Sequence, residues 1–298
     1  MVIFTIILSS PRLPVNNEAT MQTLRNNFLR DGYCIINDVY TEDEILRGRQ
    51  IFEEAFRNKD WQQAPFSSET IINDIYTFYP SLINIVFNEK YCSAIKQITG
   101  QNAGIIPECA VHHNRYFDWH KDTTSGEANG NKVHHHPDAL FIVAATYFQA
   151  NSPAGGGLTV VPGSQYVDDR FVQMYYGNIF HRIKNKLQKI TGTSVFHKIE
   201  KHENVIDIMH KTGDLVLFNL SLDHRATFIR NGRNGKPVES NMEKFAVFNT
   251  FSPATLLAQQ YADYLKTRKE PYYQYLRSSI LPEAFLNKMT ELGIKVYS

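Results

Sequence analysis

Apolar residues recur at helical spacing from Met21 onward, with Met21, Leu24 and Phe28 on one face of MQTLRNNFLRDG and Gly32 following as a helix stop. YCIIND then predicts a short strand. Thr41 followed by Glu44 opens EDEILRGRQIFEEAF as a capping box opens a helix. Helical spacing continues through PSLINIVFN and YCSAIKQIT, so the N-terminal third reads as helical. From about residue 103 the period changes. AGIIPECAVHH, ALFIVAATYFQ, GGLTVVPGS, GDLVLFNLS and KFAVFNTFS are short β-rich runs broken by Gly, Pro, Asn and Asp. Such runs predict an all-β sandwich or barrel with flanking helices. The segment 166–205 interrupts them with a helix-like, mildly basic stretch, RIKNKLQKI, and is expected to be an insert or lid beside the site. After Phe251, ATLLAQQYADYLKTR and PEAFLNKMTELG return to helical spacing. With no repeat, low-complexity tract or Gly/Ser linker, residues 1–298 are expected to form a single domain.

Composition narrows the class. Apolar residues make up 43% of the 298 and charged residues 20%, as in an ordinary globular protein. A formal charge of +1 is too small for the broad basic field that nucleic-acid binding needs, and nothing points to an anionic membrane. Cys34, Cys92 and Cys109 are an odd number without close spacing, which suggests neither a disulfide framework nor a zinc knuckle and fits a reducing cytoplasm. The opening MVIFTIILSS is too short and unflanked for a signal peptide or a span. It is either an added strand or an extension upstream of a start near Met21, within residues 1–20. Oligomeric state is not legible.

The chemistry enters at Trp119-His120-Lys121-Asp122. Residues two apart on a strand share a face, so His120 and Asp122 can offer an imidazole and a carboxylate to one ion. Alone, such a pair is a common surface pattern. About a hundred residues later a Gly-Asp turn leads through an apolar strand, GDLVLFNLS, to His224, a third donor from a distant strand. Two histidines and one carboxylate leave open positions and suit iron(II), whereas a structural zinc would want a fourth protein ligand.

The order His120-x-Asp122, then a strand, then GGGLTVVPGSQ (155–165), then GDLVLF and His224 resembles the phytanoyl-CoA dioxygenase family. FLRDGYCIINDVYTEDEI resembles that family's usual N-terminus, so the likeness runs over roughly 22–260, with most of 166–205 unmatched. The resemblance implies a double-stranded β-helix, a cupin-like jelly roll flanked by helices. It also implies an iron(II)- and 2-oxoglutarate-dependent oxygenase using O2, with His120, Asp122 and His224 as metal ligands. The carboxylate Asp122 favours hydroxylation over halogenation. Family members anchor 2-oxoglutarate with an arginine about eleven residues past the distal histidine, where this chain has Gly235 in a longer loop, and with a nearby serine where it has Ala226.

A cation is still required for the distal carboxylate. Aligning KFAVFNTF with the family's next strand puts Lys244 at the arginine's place. Arg230, at roughly 20 Å along an extended strand from His224, is the reserve. Arg225 should face away. One of His112 and His113 should face inward, and Trp119 and Tyr116 should pack the core or wall the site. The run His134, His135, His136 reads as an exposed loop, with substrate contact as the alternative. The expected function is hydroxylation of an unactivated C–H bond of a small molecule. Desaturation, epimerisation or cyclisation at the same centre, or a cupin-like binding protein without turnover, are the alternatives.

Overall fold

The first predicted helix is α1, Glu18–Asp31, and it stops where Gly32 enters the left-handed region at φ 79°. The computed structural model describes residues 18–64, 67–151, 156–228, 243–269, 276 and 281–297. Residues 18–20 already belong to α1. The opening MVIFTIILSS and Arg230 lie outside the described residues. Helix α2, Glu42–Arg57, begins with the expected capping box: the Thr41 hydroxyl accepts from the Glu44 N–H while the Glu44 carboxylate accepts from the Thr41 N–H. Three more helices follow, α3 (Ile75–Phe78), α4 (Ser81–Val86) and α5 (Glu89–Thr99).

The larger sheet is mixed. It holds β1 (Tyr33–Ile36), β2 (Ile71–Asn73), β3 (Ala103–His113), β4 (Ile142–Tyr147), β7 (Leu215–Asn219), β9 (Phe245–Pro253) and β10 (Lys295–Val296), in the order β1-β7-β4-β9-β3-β10 with β2 also on β3. All its pairings are antiparallel except β10 on β3. The β3–β9 ladder shifts register between Ile106 and Cys109, the stretch containing Pro107, whose missing N–H cannot serve a central ladder. A smaller antiparallel sheet holds β5 (Leu158–Val160), β6 (Ile206–Asp207) and β8 (His224–Ala226) in the order β6-β5-β8.

Side chains alternate across the larger sheet and separate two cores. Leu215, Leu217, Phe245 and Val247 pack toward Phe52, Phe148 and the helices, while Val216, Phe218 and Ala246 meet Leu158 and Val160 of the smaller sheet. The expectation of a mainly β chain is corrected, because helix outweighs strand among the described residues. The predicted strand segments are short once placed: GGLTVVPGS contributes only Leu158–Val160. The segment 166–205 folds as three helices, α7 (Val172–Tyr176), α8 (Ile179–Thr191) and α9 (Val195–His202). It is fastened to the outer side of the smaller sheet through a third cluster of Trp119, Val161, Phe171 and Ile199. No helix among the described residues is long and apolar enough to cross a membrane.

Candidate metal centre

His224 opens β8, and a turn after β7 delivers it: the Leu222 N–H donates to the Asn219 carbonyl, and the Asp223 N–H donates to the Ser164 hydroxyl at 2.8 Å. His120 is joined to it by a single antiparallel bridge. The His120 N–H donates to the His224 carbonyl at 2.9 Å and the His224 N–H to the His120 carbonyl at 3.0 Å. The expected strand through His120 and Asp122 is thus one bridge long. It ends because the Asp122 N–H turns to the Leu220 carbonyl and helix α6, Thr124–Ala128, starts two residues on. The alternation survives the shortening. Lys121, between the two, points the other way, and its buried ammonium donates to the carbonyls of Ser164, Val167 and Ser221 and pairs with Asp223 at 3.3 Å.

The three chosen side chains converge. His120 Nε2 stands 3.5 Å and His224 Nε2 3.6 Å from Asp122 Oδ1, and the imidazole centroids are 4.2 Å apart. Each imidazole is fixed from behind: His120 Nδ1 lies 2.6 Å from the Asp118 carbonyl and His224 Nδ1 2.9 Å from the Leu222 carbonyl. A carbonyl can only accept, so each Nδ1 carries the proton and each Nε2 lone pair is turned toward Asp122. Electrostatics agree with a cation-seeking carboxylate. Burial alone would raise Asp122, but His224 and His120 hold it below the usual carboxylate range. Burial, and then His120, push His224 down to about 4, which keeps it neutral at physiological pH. Among the described residues no fourth His, Cys, Asp or Glu joins the group, so an ion held here keeps coordination positions open on the side where Asp122 is about a third exposed.

Lys244 precedes β9 and shares the strand parity of Ala246 and Phe248, the face turned toward the smaller sheet. Its ammonium is buried and has no carboxylate within ion-pair distance among the described residues. It donates to the Arg115 carbonyl at 3.3 Å and lies 5.1 and 5.8 Å from the Tyr116 and Tyr147 ring centres. Burial lowers it to about 8. His112, opposite Ala246 in the β3–β9 ladder, is the inward member of the histidine pair, and its Nε2 is sealed from solvent without a hydrogen-bond partner. Burial, and after it Arg115 and Lys244, push it down to about 3, and it also feels Asp122 and His120. His113 faces the helices and stacks on Phe245. Arg225 faces away from the triad, lies over the Trp119 and Phe228 rings and is 3.8 Å from Glu200. Trp119 packs the core.

Two features escaped the sequence. Tyr147, at the end of β4, carries a buried hydroxyl with no hydrogen-bond partner on the same interior face as Lys244. Period-2 parity with Val143 and Ala145 was a usable signal. Asp223, fully buried beside His224, holds Arg170 of the inserted segment at 2.7 Å as well as Lys121. Nothing in the sequence singles that triad of charges out. The run His134 to His136 stays apart from the centre, on and just after a short turn, Val133–His135.

The family model described as phytanoyl-CoA dioxygenase matches residues 28–234. No curated protein matches the chain. Among solved structures, EctD from S. alaskensis with bound Fe is similar at 15% identity and TM-score 0.54, covering 81% of this chain and 79% of its own. SnoN, described as a non-heme alpha-ketoglutarate-dependent epimerase from nogalamycin biosynthesis, gives 13% identity and TM-score 0.53 over 80% of this chain and 85% of its own. HygX from Streptomyces hygroscopicus, crystallised with nickel and 2-oxoglutarate, gives 14% and 0.50 over 76% of this chain and 85% of its own. At such identities these likenesses concern the fold alone.

Proposed function

The chain belongs to the phytanoyl-CoA dioxygenase family, whose members are iron(II)- and 2-oxoglutarate-dependent oxygenases, and from that premise we propose that it hydroxylates an unactivated C–H bond of a small molecule. We read the two sheets and the apolar space between them as a jelly roll with the reaction at its mouth. His120, Asp122 and His224 hold the iron. The observation that carries the reading is their convergence, with both Nδ1 atoms held by backbone carbonyls and both Nε2 atoms facing one carboxylate oxygen. Lys244 takes the distal carboxylate of 2-oxoglutarate. A buried ammonium without a carboxylate partner, next to the unpartnered Tyr147 hydroxyl, suits an anion better than a packed core.

The chemistry supplied by the bound metal and cosubstrate is oxidation: one atom of O2 leaves in succinate as 2-oxoglutarate loses CO2, and the other enters the substrate's C–H bond. The chain's own residues orient and exclude. The backbone carbonyls of Asp118 and Leu222 hold the imidazoles in one tautomer, the protonated Lys244 and the Tyr147 hydroxyl fix one end of the cosubstrate, and Trp119 with the segment 166–205 closes the outer side against water. Epimerisation, the reaction in the description of SnoN, is the second outcome open to the same three ligands.

The test is oxygen-dependent release of succinate from 2-oxoglutarate by the iron-loaded protein. Release that falls to background in His224→Ala is expected. Release equal in the two proteins, or none from either, contradicts the reading.

A further inference from the structure

The histidine run that the function leaves unused is brought onto a carboxylate. Helix α6 carries Glu127, and the chain then doubles back: the Asn131 N–H donates to the Gly126 carbonyl at 3.0 Å, and the Asn131 side chain accepts from the Val133 N–H at 3.0 Å. That closure lays His134 and His135 over Glu127. His134 Nε2 is 3.4 Å and His135 Nε2 3.3 Å from the same oxygen, Glu127 Oε2, with imidazole centroids 4.2 Å apart.

These separations are long for hydrogen bonds, which lie at about 2.9 Å. They match donors that share an ion, since ligands about 2.0–2.1 Å from a tetrahedral zinc stand about 3.3–3.4 Å from one another. The His134 side chain is only 6% exposed, so one leg of the cluster is held in place, while His135 is 42% exposed and leaves an entry path. The three residues line a cavity of about 60 Å³ whose opposite wall, at the start of the inserted segment, carries Asp168 and Asp169. Asp169 Oδ2 is buried there without a hydrogen-bond partner. Lys121 reaches the same wall, but its ammonium is occupied by three carbonyls and Asp223.

We propose that Glu127, His134 and His135 bind a zinc-type divalent ion, with the fourth position taken by water. Two imidazoles and one carboxylate exclude magnesium and calcium, which take oxygen ligands. Side-chain alternation sets this site behind the triad: Lys121 lines its cavity while Asp122 faces the iron centre. An ion here ties the turn Val133–His135 back onto helix α6.

The inference stands apart from the assignment of iron to the triad, and zinc separates the two. Equilibrium dialysis against Zn²⁺ with elemental analysis is expected to give about two ions per chain for the parent protein, because the triad also accepts zinc. His134→Ala/His135→Ala and, independently, Glu127→Gln should each lose one ion, with unchanged circular dichroism. His120→Ala/His224→Ala should lose the other. A His134→Ala/His135→Ala protein that folds and binds as many zinc ions as the parent overturns the surface site and leaves the triad untouched. A His120→Ala/His224→Ala protein that matches the parent speaks instead against the triad.

Discussion

Lys244 holds a buried charge that no carboxylate among the described residues neutralises, and the proposed function gives that charge an occupant. A hydrogen-bonded charge of this kind contributes about 1.5–3 kcal/mol, so Lys244→Met should raise the KM for 2-oxoglutarate about 10- to 150-fold while iron binding stays intact. The sign of the pH dependence follows from the protonated form being the one that binds. With Lys244 lowered to about 8 by burial, affinity for the dianion holds below that pH and weakens about tenfold per unit above it. Lys244→Arg removes the weakening, because a guanidinium keeps its proton. An unchanged KM in Lys244→Met contradicts the anchor. Lys244 was reachable from sequence through strand register, and the His120–Asp122 pair through two-residue spacing. Parity along β4 also offered Tyr147, but Asp223 was out of reach, because its significance depends on what faces it from the inserted segment.

At the scale of elements, the Gly-Asp turn before β7 carries the strand that leads to His224. Gly213 sits at φ 93°, and a Cβ there would come within 2.7 Å of the Tyr40 carbonyl oxygen, whose own N–H donates to the Gly213 carbonyl. Asp214 accepts from the N–H groups of Asp38 and Lys211. Gly213→Ala should therefore cost about 1–3 kcal/mol in urea unfolding, and a variant as stable as the parent contradicts the turn's role. This turn was legible because Gly-Asp before an apolar run has a local cause. The inserted segment was less so: one helix-like stretch was read where three helices form. Asn178, whose side chain accepts from the His181 N–H, opens α8 after α7, and Gly192 at φ 69° with Ser194, whose side chain accepts from the His197 N–H, divides α8 from α9.

At the scale of the whole molecule, the sequence period located the strands but overstated their share. Short apolar runs do not reveal how few of their residues enter a ladder, and the helices before β3, in the insert and after β9 make up the difference. The sheet divides stability from chemistry. Phe52, fully buried, packs on Phe148 and Phe245 on the helix side, away from the triad. Phe52→Ala should cost about 3–5 kcal/mol of unfolding free energy yet leave the iron stoichiometry unchanged below the unfolding transition. Loss of iron from the folded variant would show that the two faces are not independent. The central claim, that His120 and Asp122 of one short segment and His224 of β8 share one ferrous ion, is tested most directly by diffraction at the iron absorption edge from iron(II)-loaded crystals kept free of oxygen. An anomalous peak about 2.0–2.2 Å from His120 Nε2, a carboxylate oxygen of Asp122 and His224 Nε2 is the predicted result. Crystals that hold iron elsewhere, with none between those three atoms, would contradict it.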